Sequence, residues 1–205
     1  MAQQESKTNG EAKNTGGRKE SPAKFFMNLL LSPVVGFKKL KSSRLTPEAF
    51  NAGVFYPLLA IASASTFMEM AYYPDRGLSS TLINAICTFI SFFITYFAVF
   101  PIVRLTSGQE CGEKIAGRYG KLSVSATMST IVLYHILYTL CPFLEPLLFF
   151  APVYTVYLIY KSLRGVRIPE QRTLSVTATV SLVEIFIPYL IELCFKAMLG
   201  NNQSI

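Results

Sequence analysis

Charge is scarce in this chain: only 15% of its 205 residues are Asp, Glu, Lys or Arg, against about 25% in a typical soluble domain. Histidine is scarcer still, with a single copy at His135. The cysteines Cys87, Cys111, Cys141 and Cys194 are widely spaced and form no CxxC pair. One histidine and dispersed thiols leave no zinc-ligand constellation and no disulfide scaffold. The thiols fit a reducing side or burial, with a Cys141–Cys194 disulfide as the alternative. Enzyme signatures are missing too. There is no GxSxG and no HExxH, and the Walker-like spacing from Gly112 to Gly117 is followed by Arg118 where Lys-Ser/Thr is needed. No catalytic residue, cofactor or metal is expected, and the chain reads as a non-enzyme.

What is abundant is apolar sequence. Hydrophobic residues make up 51% of the chain, and the mean hydropathy is +0.39. They are bunched into runs almost free of charge at 51–68, 78–103, 122–144, 146–160 and 173–183. A bilayer core of roughly 30 Å takes about 20 mainly apolar residues per helical crossing. The expected fold is therefore an all-α integral membrane protein, a bundle of five transmembrane helices at about 47–70, 78–103, 122–141, 143–160 and 173–195. Thr46-Pro47-Glu48 reads as the start of the first, with Thr46 as N-cap and Pro47 in the first turn. The loops 104–121 and 161–172 separate later spans.

Residues 1–23 are polar, without apolar period, and read as a disordered cytoplasmic tail rather than a signal peptide. The segment 24–41 is basic and amphipathic, with a break at Pro33. It reads either as an interfacial helix whose lysines meet anionic head groups or as a helix packed beneath the bundle. Orientation follows from Lys and Arg near the membrane. The first 50 residues hold nine, and loops 104–121 and 161–172 hold four each. The opposite side holds one (Arg76), none, and one (Lys196). The expected topology is N-in, C-out. The net charge of +7 is then topological bias, with no nucleic-acid partner implied.

An ionisable residue at the centre of a span costs about 2.5–3.5 kcal/mol on insertion scales, so each needs a reason. Glu184 lies near the middle of the last span, in a stripe of Thr173, Thr177, Ser181, Glu184, Pro188 and Glu192 at spacings of three and four. With His135, Glu69 and Glu145 it makes a set biased to the outer half. One reading is a polar cavity open to the outside that binds a cation or relays a proton, with His135 as the partner of Glu184. The other is a hydrogen-bonded packing stripe with wetted ends.

The leading functional reading is a protein that organises or binds other membrane components through a basic cytoplasmic face of Lys38, Lys39, Lys41, Arg44, Arg164, Arg167 and Arg172. Its expected partners are the bilayer, anionic lipid head groups, and other membrane proteins or further copies of itself. The alternative is a small cation- or proton-coupled transporter or channel built on Glu184.

A short apolar segment ending in Pro33 and a basic run through Lys41 precedes the spans. The fourth expected span exits through Tyr157-Leu158-Ile159-Tyr160-Lys161-Ser162-Leu163-Arg164-Gly165-Val166, followed by Pro169. In these features residues 24–198 resemble the YIP-domain (YIPF) family of five-span proteins. Eukaryotic members are Rab-GTPase-interacting proteins with a long aromatic- and Pro-rich cytosolic tail, which this chain lacks. The resemblance is to the short bacterial-type branch and implies a bacterial cytoplasmic (inner) membrane, with ER or Golgi membrane as the alternative. It assigns no functional residues.

Overall fold

A computed structural model describes residues 21–72, 77–144, 146 and 150–200. Most of the expected tail thus lies outside the described residues. Every regular element among them is a helix. Two short helices, α1 (Pro22–Leu31) and α2 (Pro33–Ser42), precede a helix α3 running through Pro47–Tyr72. Then come α4 (Leu78–Ser107), α5 (Gln109–Ala116), α6 (Arg118–Leu140), α7 (Ala151–Leu163) and α8 (Glu170–Gly200).

Four helices are long and apolar enough to cross a bilayer: Pro47–Tyr72, Leu78–Ser107, Arg118–Leu140 and Glu170–Phe195. Their burial pattern departs from that of a water-soluble protein. Outside, α4 exposes Leu82, Ile86, Phe89, Phe93 and Phe97 along one side, and α8 exposes Leu182, Phe186, Leu190 and Leu193. Inside are Thr88, Ser91, Ser123, Thr127, Ser129 and Glu184. Apolar side chains outward and small or hydroxylated ones between helices suit lipid, where packing and interhelical hydrogen bonds drive association. The chain is membrane-embedded.

The segment expected as the fourth span, 143–160, is described only in part, because 145 and 147–149 lie outside the described residues. Its helix is α7, 13 residues long, which at 1.5 Å per residue covers roughly 20 Å. A short 3-10 turn, Pro142–Leu144, precedes it. The loop expected at 104–121 is also mostly helical. Gly108 breaks the chain at φ +89°, and α5 follows with Cys111, Gly112 and Ile115 buried.

Local sequence accounts for the main irregularities. Thr46 caps α3 by accepting from the Ala49 N–H at 3.2 Å, with Pro47 in the first turn. One turn on, Asn51–Phe55 is a π turn, so that the Tyr56 N–H bonds the Asn51 carbonyl five residues back. Pro57 follows immediately and has no N–H to continue the ordinary ladder, a usual setting for such a bulge. Where α6 leaves α5, a side chain on Gly120 would meet the Ile115 carbonyl oxygen at 2.2 Å, so only glycine fits that corner.

Five helices close a ring in the order α4, α8, α7, α6, α3. At one end the α1–α2 hairpin packs on α3, α6 and α7 through Phe26, Leu29, Phe37, Leu40 and Phe50. Tyr154 of α7 donates to the Leu30 carbonyl at 2.8 Å, and Arg118 donates to the carbonyls of Ser43 and Leu45. At the opposite end Tyr72 donates to the Leu140 carbonyl at 3.0 Å. The hairpin packs on the bundle, as the second reading of 24–41 expects. One apolar side is buried on the bundle, while Met27, Leu31, Val34 and Val35 remain exposed on the other.

Candidate functional site

All five ring helices contribute to a cavity of about 440 Å³ in the half of the bundle away from the hairpin. From α3 come Thr66 and Glu69, one turn apart, and from α4 the polar trio Asn84, Thr88 and Ser91. The α6 helix supplies Tyr134, His135 and Tyr138; α7 supplies Ala151, Pro152 and Thr155; α8 supplies Pro188, Tyr189 and Glu192. Glu69, His135 and Glu192 are each half-buried. His135 meets Phe92 edge-on, with ring centroids 5.4 Å apart. The structure therefore brings Glu69, His135 and Glu192 to one cavity. Glu145 lies outside the described residues.

The stripe on α8 does face inward. Thr177, Ser181, Glu184 and Pro188 are buried, and Thr173 and Glu192 at its two ends are half-buried. Glu184 stands apart from the cavity wall. It is 0% exposed, and its Oε1 lies 2.9 Å from Thr127 Oγ1 on α6. Its Oε2 has no hydrogen-bond partner among the described residues. The expected partnership with His135 is corrected: the partner is Thr127. Geometry explains the difference, since Thr127 and His135 are more than two turns apart on one helix, roughly 12 Å along its axis.

Thr127 Oγ1 also sits 3.0 Å from the Ser123 carbonyl and 3.1 Å from that of Val124. A hydroxyl has one proton. When that proton serves the helix backbone, the Glu184 carboxyl must bring the proton that joins the two side chains.

Sequence reasoning missed two groups. The Asn84, Thr88 and Ser91 trio has spacings of four and three on an otherwise apolar span, a signal equivalent to the one that revealed the α8 stripe. A buried triad at the hairpin end was also missed: Asn51 donates to Tyr96 Oη at 3.0 Å, and Ser125 Oγ, whose proton has the Lys121 carbonyl at 2.9 Å, lies 3.3 Å from the same oxygen. The π turn at Asn51–Phe55 spans Asn51 itself, which no periodicity argument foresees.

The basic residues collect at the hairpin end. Lys38, Lys39, Lys41, Arg44, Arg164, Arg167 and Arg172 are all exposed. Arg172 also donates to the Ser107 carbonyl at 3.1 Å, closing the C-terminus of α4 as a cation should. Arg164 lies over the Tyr160 ring at 5.2 Å and Lys161 over Tyr157 at 5.5 Å. Outside the spans, the Lys114 ammonium holds the Glu110 carboxyl below the ordinary carboxylate range through a 2.7 Å contact. Cys141 and Cys194 are both free thiols. Among the described residues no group of three His, Cys, Asp or Glu could hold a metal ion. No family model matches this chain, and no curated protein or solved structure was found to match it.

Proposed function

We propose that this chain is a non-enzymatic, five-crossing membrane protein, N-in and C-out and YIP-like in type, that binds or organises other membrane components through its basic end. The observation that carries the reading is the convergence of seven exposed cations, from segments at 38–44 and 164–172, on the end where the α1–α2 hairpin presents an apolar face. Cations beside an exposed apolar face suit an anionic membrane surface. The α7 helix supports a fifth crossing, because its Ala151 end lines the cavity and its Arg164 end joins the hairpin. A bacterial cytoplasmic membrane is the proposed location.

The test is to neutralise all seven cations and measure co-purifying anionic lipid and its salt dependence in nanodiscs. Loss of anionic enrichment supports the reading. Unchanged enrichment overturns it.

The five-helix cavity favours a second reading, a cation- or proton-coupled pathway that would have to extend beyond the cavity wall to reach Glu184. Reconstituted liposomes separate the two. A pathway loses flux with Glu184→Gln and tolerates neutralised loops, whereas a membrane organiser shows no flux above empty vesicles and tolerates Glu184→Gln.

A further inference from the structure

Between α2 and the end of α7 lies a groove of about 300 Å³ whose rim carries Lys38, Lys41, Lys161 and Arg164. Its apolar wall is Val34 and Phe37, and Tyr119 also lines it. The two lysines of α2 are three residues apart, as are Lys161 and Arg164, so each pair projects from one side of its helix. The stacking of Lys161 on Tyr157 and of Arg164 on Tyr160 restrains those two cations. Close packing fixes the groove's far wall. A Cβ on Gly165 would fall 2.4–2.6 Å from the Tyr119 phenol, so any larger residue there would have to push the tyrosine aside. None of the four cations has an ion-pair partner among the described residues, and no carboxylate lines the groove.

Four uncompensated cations around one pocket call for a ligand with more than one negative charge. The neighbouring surface says where that ligand comes from. Val34 belongs both to the groove wall and to the exposed apolar face that continues through Val35 and Leu31, the last 78% exposed. An acyl chain could follow that face while its head group enters the groove. We propose that this groove is a binding site for an anionic phospholipid with a phosphate-monoester head group. Such a head group carries about −1.5 to −2 charge and several strong acceptor oxygens, against −1 for a phosphodiester. The site rests on the basic-end reading and localises it.

Full-length protein in detergent is titrated with phosphatidic acid, phosphatidylglycerol and phosphatidylcholine and read by native mass spectrometry. Three variants are compared: Lys161→Gln/Arg164→Gln and Lys38→Gln/Lys41→Gln in the groove, and Lys39→Gln/Arg44→Gln outside it. Lys38, Lys39, Lys41 and Arg44 are exposed, so those variants keep the fold in view if the Lys161/Arg164 pair perturbs it. Phosphatidic acid should bind best, and each groove pair should weaken it by about thirtyfold, from two lost cations. The outside pair does not line the groove, and solvent and salt screen it, so it should change binding less than about threefold. Equal losses from all three pairs would overturn the groove while leaving the basic-end reading standing. A wild type with no preference for either anionic lipid over phosphatidylcholine would overturn both. Displacement of phosphatidic acid by millimolar inorganic phosphate would assign the groove to a soluble phosphate and overturn the lipid.

Discussion

The Glu184–Thr127 pair allows a prediction whose magnitude comes from the geometry. Thr127 is 1% exposed and Glu184 is fully buried, with oxygens 2.9 Å apart. Thr127→Val keeps the side-chain shape but removes the only hydrogen bond made by Glu184 among the described residues. An interhelical hydrogen bond in a membrane protein is worth about 0.6 kcal/mol on average and up to about 1.7. A newly orphaned buried polar atom adds about 1–3 kcal/mol. Thr127→Val should therefore destabilise by about 2–5 kcal/mol. Glu184→Gln should stay within about 0.5 kcal/mol of the wild type, because its amide offers both the donor and the acceptor that the pair needs. The double variant Thr127→Val/Glu184→Leu should recover most of the loss, since no polar atom is then stranded. Stability is read in detergent by thiol-reactive dye labelling of buried Cys87 and Cys111 on heating or denaturant titration. A double-mutant cycle with no coupling between the two positions would refute the pair as an energetic unit.

Further predictions are independent of that pair. Gly165→Val should cost about 1–3 kcal/mol by overpacking, and Tyr119→Leu in the same chain should restore part of it, as measured by the same thermal assay. A membrane-impermeant maleimide should label exposed Cys194 from outside intact cells and leave Cys87 and Cys111 unmodified; labelling of Cys194 only after permeabilisation would reverse the N-in, C-out assignment. Because the Glu110 carboxyl is held down by Lys114, the pair's stabilisation is complete above the ordinary carboxylate range. It is lost as pH falls through the lowered value. A side-chain NMR titration of Glu110 should therefore move upward in Lys114→Met, and an unchanged midpoint would exclude Lys114 as the cause.

The long spans were legible because lipid removes the need for periodicity: an apolar run without charge is sufficient signal, and its length is fixed by the bilayer. The α8 stripe was legible for a second reason, the three-and-four spacing that puts polar residues on one helix side. What the sequence concealed depends on how helices rotate against one another. Choosing Thr127 over His135 as the partner of Glu184 is a question of depth and azimuth, and both residues sit on the same helix with similar chemistry to offer. The α5 helix was hidden by its glycines. Gly112 looks like a breaker, but its missing side chain lets α5 approach the end of α4, where an added carbon would fall 2.7–3.0 Å from Arg104. Helicity there is set by packing rather than propensity. The short α7 was masked by composition, since the apolar run through 160 gives no sign of where its helix begins.

The two-sided hairpin has a consequence for biogenesis. Its inner face is completed by α7, and the Tyr154–Leu30 bond joins positions 124 residues apart. At ~5–20 residues per second the ribosome needs on the order of 6–25 s to make the intervening chain. During that interval the hairpin already exists while the α7 part of its docking surface does not, and the uncovered part of its inner face needs cover. The bilayer surface can supply it. The hairpin would then hold the nascent chain at the membrane while the crossings are inserted, and it would pivot onto the bundle only when α7 arrives. Delayed docking of this kind would make the order of synthesis, as well as the final contacts, a determinant of the folded protein.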